Sequence, residues 1–404
     1  MTPADMAGTA FRPSALAGYE DWPGYAPHFH RAGSATAQEL SDVLGIPAVV
    51  PDLGYTIHSE TAHDDVITTR LSWQLGFGPR TSAWLVRPAQ STGPLPGLLA
   101  MHCHAGIKSY GAERLVKLPA GVEDHDADSP FPGGFGPVPP GLQAKLYGGR
   151  ALATWLALQG FAVLAHDAFM WGSRRFGLDP LPFRSATAVS GQQSLWREAG
   201  VKPSASALYD AAAAAHEETV AKAATLLGSS LAGTVAHDDL AALDILSSLP
   251  GVDQHRIGCL GFSGGGGRAM LLAALDSRIR SYVVTCMMTT FASLLPSYLD
   301  AHSWLLHSPG LAQLGDWPHL AARSSARALV QYALDDQLFP EQGMGDAHAH
   351  LSSALPELYT GTFWQEPHVF SRAMQDEAAA FLTETLRLSA TKTTHEPDPA
   401  RTAS

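Results

Sequence analysis

Apolar positions along the chain change their period several times, and those changes mark out the elements. Through residue 64 the sequence is rich in Gly, Pro, His and aromatics with little periodicity, apart from a short helix expected near "TAQELSDVLG". Residues 1–64 therefore read as an irregular N-terminal extension that wraps the main body. From Val66 the alternation in "DVITTRLSWQL" and "TSAWLVRP", separated by "GFGPR", predicts an antiparallel hairpin. "LPGLLAMHCH" is continuously apolar, as expected of a strand covered on both faces.

Helical and strand patterns then take turns. "GRALATWLALQG" places Leu152, Trp155 and Leu156 on one helical face and stops at Gly160, and "FAVLAHD" is the next buried strand. "HDDLAALDILSSLPG" predicts a helix with Leu240, Leu243 and Leu246 near one side, followed by the strand "RIGCLGF". "SYVVTCM", "ALVQYAL" and "LYTGTFW" are further strands, and "SRAMQDEAAAFLTETL" is the last helix. Such alternation predicts an α/β fold with a mostly parallel sheet, helices on both faces and the hairpin at an antiparallel edge.

Two stretches break the alternation. "DADSPFPGGFGPVPPG" is long enough for a functional loop. Residues 171–236, with the Ala-rich helix "SALYDAAAAAHEETVAKAATLL", read as a helical insertion over one end of the sheet. The expected organisation is thus an extension over 1–64, a domain over 65–388 carrying that insertion, and a polar, disordered tail over 389–404. No internal repeat is visible.

The segment "RIGCLGFSGGGGRAM" then asks for an explanation, since glycine costs about 1 kcal/mol relative to alanine inside a helix. Gly261, Ser263 and Gly265 form G-x-S-x-G between an apolar strand and the apolar-periodic "RAMLLAAL". A tight strand-to-helix turn there strains the serine backbone and lifts its hydroxyl to the carboxyl end of the sheet. The glycines on either side are small because the strand and helix backbones nearly touch. Gly264, Gly266 and Ala269 also satisfy a dinucleotide-loop pattern, but the acidic residue that pattern needs about 20 positions on is missing from "VVTCM". A helix-capping serine is the other plain reading.

A serine hydroxyl needs a base to take its proton and a carboxylate to orient that base. After "ALVQYAL" comes "DDQLFP", and after "LYTGTFW" comes "QEPHVFSRAM". Asp336 or Asp335 supplies the acid and His368 the base, in the order Ser, Asp, His. Asp336 is preferred for its flanks, Ala333 and Pro340, with Asp335 left as a cap for the following helix. Negative charge on the attacked carbonyl oxygen calls for two backbone donors. One is the N–H of Gly264; the other comes from the turn after "LLAMHCHAG", at His104 or, as a near alternative, Ala105.

The 18 histidines include the pairs His28/His30, His102/His104 and His348/His350, but two ligands do not make a metal site, and no metal or other cofactor is expected. The acidic run "EDHDAD" reads as a solvated loop. Trp171, Phe176 and Trp196 suit either a pocket wall or core packing.

Composition narrows the function classes. The chain has 404 residues, 46% hydrophobic, which is ample for a large core. With 26 basic against 38 acidic residues the net charge is −12, and no Lys/Arg-rich run occurs. Nucleic acid and anionic membranes are therefore not expected partners. The 3 cysteines, Cys103, Cys259 and Cys286, sit in apolar stretches and are too few for a disulfide framework. The first residues lack a signal peptide's basic and apolar regions, so a cytoplasmic location is expected, with homo-oligomerisation left open.

Over roughly residues 66 to 387 the chain resembles the α/β-hydrolase superfamily, in particular bacterial dienelactone-hydrolase-like and acetyl-xylan-esterase-like serine hydrolases. The resemblance rests on "HCHAG", "HDAFMWGSRRF", "DDLAALDILSSLPGVDQHRIGCLGFSGGGGRA", "DDQLFP" and "EPHVF". It implies hydrolysis of a small-molecule ester or thioester through an acyl-serine, without a cofactor. Dienelactone hydrolases carry cysteine at the position of Ser263, so lactone specificity does not carry over. An amide or carbon–carbon bond cleaved by the same residues, and an inactive fold serving as a binding protein, are the competing expectations.

Overall fold

In the computed structural model, which describes residues 12–25, 36–50, 52–91, 93–119 and 135–390, the apolar runs form nine strands. They are β1 (Tyr55–His63), β2 (Val66–Trp73), β3 (Thr81–Pro88), β4 (Leu95–Met101), β5 (Ala162–His166), β6 (Val252–Phe262), β7 (Ile279–Thr285), β8 (Arg327–Ala333) and β9 (Tyr359–Trp364). All lie in one sheet, in the order β1-β2-β3-β5-β4-β6-β7-β8-β9. The hairpin pairs Val66 with Pro88 through to Trp73 with Thr81. From β5 across to β9 every pairing is parallel, and β3 joins that block antiparallel to β5.

One element differs from expectation. Tyr55–His63, placed with the irregular extension in the sequence reading, is instead the outer edge strand, paired with β2 from Tyr55↔Trp73 to His63↔Val66. Its alternation is weak because most of its side chains are solvated, so period 2 leaves little apolar trace.

The helices are α1 (Ala37–Leu44), α2 (Pro140–Tyr147), α3 (Leu152–Leu158), α4 (Phe183–Glu198), α5 (Ala205–Leu226), α6 (Leu231–Ser248) and α7 (Gly264–Leu275). Three short ones follow, α8 (Phe291–Leu294), α9 (Leu311–Leu314) and α10 (Trp317–Ala321), then α11 (Glu341–Ala354) and α12 (Arg372–Ala390). Alternate strand residues feed two separate cores. Leu99, Met101 and Cys259 join Leu243, Leu246 and Met270 of α6 and α7 on one face. Leu98, Ala100 and Leu260 join Leu156 of α3 and Leu382 of α12 on the other.

Part of the extension is built into the body. In α1 a Thr36/Glu39 capping box starts the helix, and Leu40 and Leu44 are fully buried in the first core. Burying a leucine contributes about 1.5–3 kcal/mol, enough to fix this segment to the body. Helix α6 begins at Leu231, where Ser230 accepts the Gly233 N–H, so its first turn belongs to the sheet layer and not to the insertion. The loop over 126–141 is described only from Phe135 on, so its first part, the "EDHDAD" run and the tail beyond 390 lie outside the described residues. Among the described residues no helix is long and apolar enough to cross a membrane. The three cysteines are buried and free.

The strand order places the site. After β4 the chain crosses to β5 on one side, then returns to β6 on the other side of β4. Successive connections diverge at that point, leaving a crevice beyond the carboxyl ends of β4 and β6.

Candidate active site

Ser263 follows β6 at the crevice with φ 56° and ψ −127°, a left-handed conformation unusual for a side chain bearing a Cβ. Its N–H donates to the Thr285 carbonyl at 2.8 Å, which anchors the strained residue to the end of β7. The flanking glycines have a steric reason. A Cβ on Gly261 would lie 2.2 Å from the Gly265 carbonyl, and one on Gly265 would lie 2.3 Å from the Met101 carbonyl oxygen. Helix α7 thus rests directly on the backbones of β6 and β4.

The loops after β8 and β9 bring the other two side chains. Leu334 N–H donates to Trp364 O at 2.8 Å and Asp335 N–H to Glu366 O at 3.1 Å, which ties the loops together. His368 lies between Phe262 and Phe339, with ring centroids 4.8 and 6.1 Å away. Its Nε2 is 2.9 Å from Ser263 Oγ, and its Nδ1 is 2.6 Å from Asp336 Oδ2. The buried Asp336 also accepts the Leu338 N–H on Oδ1 at 2.8 Å, so both carboxylate oxygens are engaged. Asp335 is exposed and accepts the Gln365 amide at 2.6 Å. Of the two acids, Asp336 is the one within reach of the imidazole.

The turn after β4 closes the crevice from the other side. A Cβ on Gly264 would lie 3.2 Å from His104 N and 3.1 Å from His104 Cβ, so the two predicted oxyanion donors are neighbours. Neither N–H is taken up by a hydrogen bond among the described residues. Ala105, the alternative, has φ 55°, in the left-handed region of a tight turn.

The His104 ring has its own duties. Gly106 N–H donates to Nδ1 at 2.9 Å, so the proton sits on Nε2, which donates to Glu217 at 3.0 Å. Burial keeps the imidazole below its ordinary pKa and neutral, with Glu217 opposing that effect. His102 donates Nδ1–H to Cys103 O, His348 pairs with Tyr359, and His28 and His30 lie outside the described residues. Among the described residues no three His, Cys, Asp or Glu side chains converge as a metal site would require.

Sequence reasoning passed over Glu217. It sits on the insertion helix α5 and is buried. Oε2 accepts from His104 and from Lys108; Oε1 accepts from Ser303 Oγ at 2.5 Å and Trp304 N–H at 3.0 Å. Burial pushes its carboxyl up, but the His104 and Lys108 contacts outweigh that and hold it well below the usual carboxylate range. A glutamate inside "AHEETVAKAA" carries no local sign of this, since helix-surface glutamates look the same. Trp171 stands edge-on to His104 at 5.3 Å, buried in the main core, while Phe176 packs on Phe169 and Trp196 lies half-buried on α4.

Comparison with known proteins adds to this geometry. The family model for acetyl xylan esterase (AXE1) matches residues 232–293, the stretch from α6 through Ser263 and β7 into α8. A candidate acetyl xylan esterase from Bacteroides fragilis superposes with a TM-score of 0.60 at 13% identity, covering 90% of this chain and 87% of its own. The fold is that of the α/β-hydrolases. The glucuronoyl esterase of Solibacter usitatus shares this hydrolase fold, with a TM-score of 0.53, 13% identity and coverage of 86% and 91%. The Bacillus subtilis protein YtaP, named as a candidate hydrolase, is 23% identical over 86% of this chain and 98% of YtaP. Ser263 lies at the strand-to-helix bend between β6 and α7, and the loops after β8 and β9 carry Asp336 and His368.

Proposed function

We propose that the protein is a serine carboxylesterase acting on short-acyl, acetyl-type esters of a small molecule. The hydrogen-bonded series Ser263–His368–Asp336 carries this reading. Support for an ester as substrate comes from the acetyl xylan esterase match around Ser263 and the esterases that share the fold.

In this mechanism Ser263 Oγ attacks the acyl carbon while its proton passes to His368 Nε2. Asp336 holds Nδ1–H, which selects the tautomer and stabilises the imidazolium. The carbonyl oxygen gains the negative charge and is met by the N–H groups of Gly264 and His104. Collapse expels the alcohol, which takes the proton from His368 and leaves acyl-Ser263. Water then repeats the sequence, its proton going to His368 and its oxygen to the released acid. No cofactor enters either half. The free, buried cysteines suit a cytoplasmic setting.

The test uses p-nitrophenyl acetate and a fluorophosphonate probe. Wild-type protein should turn over the ester and label at Ser263, and Ser263→Ala should lose both while keeping its melting transition. Undiminished turnover by Ser263→Ala would sink the assignment.

A further inference from the structure

We infer that Arg114 is a positioning residue that sets the His104 N–H as an oxyanion donor, a role that rests on the hydrolase reading above. Arg114 lies in the 3-10 turn Ala112–Leu115 and is completely buried. Its Nη1 donates to Cys103 O at 2.9 Å, Nη2 to Ile107 O at 3.0 Å and to Tyr110 O, and Nε to Gly111 O at 3.2 Å. Four carbonyls of one turn therefore converge on one guanidinium. Among the described residues its N–H groups are accepted by these neutral carbonyl oxygens and by Cys103 Sγ, 3.6 Å from Nη1. A buried cation without a carboxylate is costly unless its donors are saturated, as they are here.

The consequence follows from the planar trans peptide, in which C=O and N–H point in opposite directions. Cys103 O points at Arg114, so the N–H of the same peptide unit, that of His104, points away from it, on the side where Gly264 lies. Neighbouring groups of the turn are also held. Cys103 N–H donates to the Tyr147 hydroxyl at 3.2 Å, and His102 O accepts from Arg268 Nη1 at 3.2 Å. The His104 peptide thus has little freedom to rotate its donor out of the crevice. Lysine keeps the charge but not the planar fork that serves four acceptors at once.

The experiment compares Arg114→Lys with wild type in three readouts: steady-state hydrolysis of p-nitrophenyl acetate, affinity for a trifluoromethyl ketone analogue, and the pH profile of kcat/KM. Loss of one oxyanion donor typically costs about 10²–10³ in kcat, and a misaligned one should cost about 10- to 100-fold. The expected result is that fall in kcat with KM within about twofold, and an equal fall in ketone affinity, because the hemiketal oxyanion uses the same donor. The acid limb of the pH profile should not move, since His368 and Asp336 are untouched. A folded Arg114→Lys with unchanged kcat, or with a shifted acid limb and unchanged ketone affinity, overturns the role of Arg114 alone. Wild-type protein with no Ser263-dependent turnover or labelling overturns the hydrolase reading, and this inference with it. If Arg114→Lys does not fold, wild type labelled with 15N-histidine decides. The His104 amide proton should move strongly downfield when the ketone binds, and an unmoved resonance overturns the proposal.

Discussion

Replacing Glu217 with glutamine tests how the insertion is joined to the site. The carboxylate serves two donors on each oxygen: His104 and Lys108 on Oε2, Ser303 and Trp304 N–H on Oε1. Glutamine keeps one acceptor oxygen, and its NH₂ group must face two donors. Two hydrogen bonds to a charged group, worth about 1.5–3 kcal/mol each, are lost. The ammonium of Lys108, only 3% exposed, is also left without its counter-ion. Losing one partner of a buried pair costs about 3–5 kcal/mol, and Lys108 limits the damage by releasing its proton, since burial already lowers its pKa. We therefore expect a loss of about 3–5 kcal/mol at pH 7, measured by urea denaturation. The sign of the pH effect is set by the depressed carboxyl of Glu217. Its stabilisation is complete above the ordinary carboxylate value of 4.5 and fades as pH falls below it, so on the acid side the gap between wild type and Glu217→Gln should narrow below that value. The double variant Lys108→Met/Glu217→Gln should be less destabilised than the sum of its singles, because no unpaired charge remains. A single-variant cost under about 1 kcal/mol, or strict additivity in the cycle, would refute this account.

Other substitutions probe the rest of the site. Asp336→Asn should lower kcat by about 10⁴ through the wrong imidazole tautomer, whereas the exposed Asp335→Asn should stay within about twofold, both read with p-nitrophenyl acetate. Gly265→Ala puts a methyl 2.3 Å from the Met101 carbonyl oxygen, between two backbones, and should cost about 3 kcal/mol or more in chemical denaturation. His302 donates to Leu338 O at 2.8 Å, and burial lowers its pKa to about 4. Because the folded protein resists protonating it, stability should fall as pH drops from 6.5 toward 4, and His302→Gln should flatten that part of the stability–pH curve.

The sequence singled out the residues whose chemistry depends on local chain geometry. Ser263 was legible because a strand-to-helix elbow demands small neighbours, and the glycines advertise it. Asp336 and His368 were legible because parallel strands deliver their loops to one edge, so a position just past a strand end is already a position near the crevice. The edge strand Tyr55–His63 was not legible, since solvated side chains leave no apolar alternation. The early start of α6 was hidden because Leu231 and Val235 look like part of an Ala-rich insertion until the sheet beneath them is seen.

By itself the sequence determined the alternation of strands and helices, the bend at Ser263, and the placing of Asp336 and His368 just past later strands. Those depend on contacts within a few residues, where steric limits and apolar period act directly. Only the tertiary structure shows that Asp336, and not Asp335, hydrogen-bonds His368, and that the His104 backbone lies beside Gly264. It alone revealed Glu217 and Arg114, because a buried charge is defined by the partners that folding brings to it, from distant segments for Glu217 and from its own turn for Arg114. Nothing in the residues beside such a charge in the chain says whether water or the protein's own polar groups will meet it.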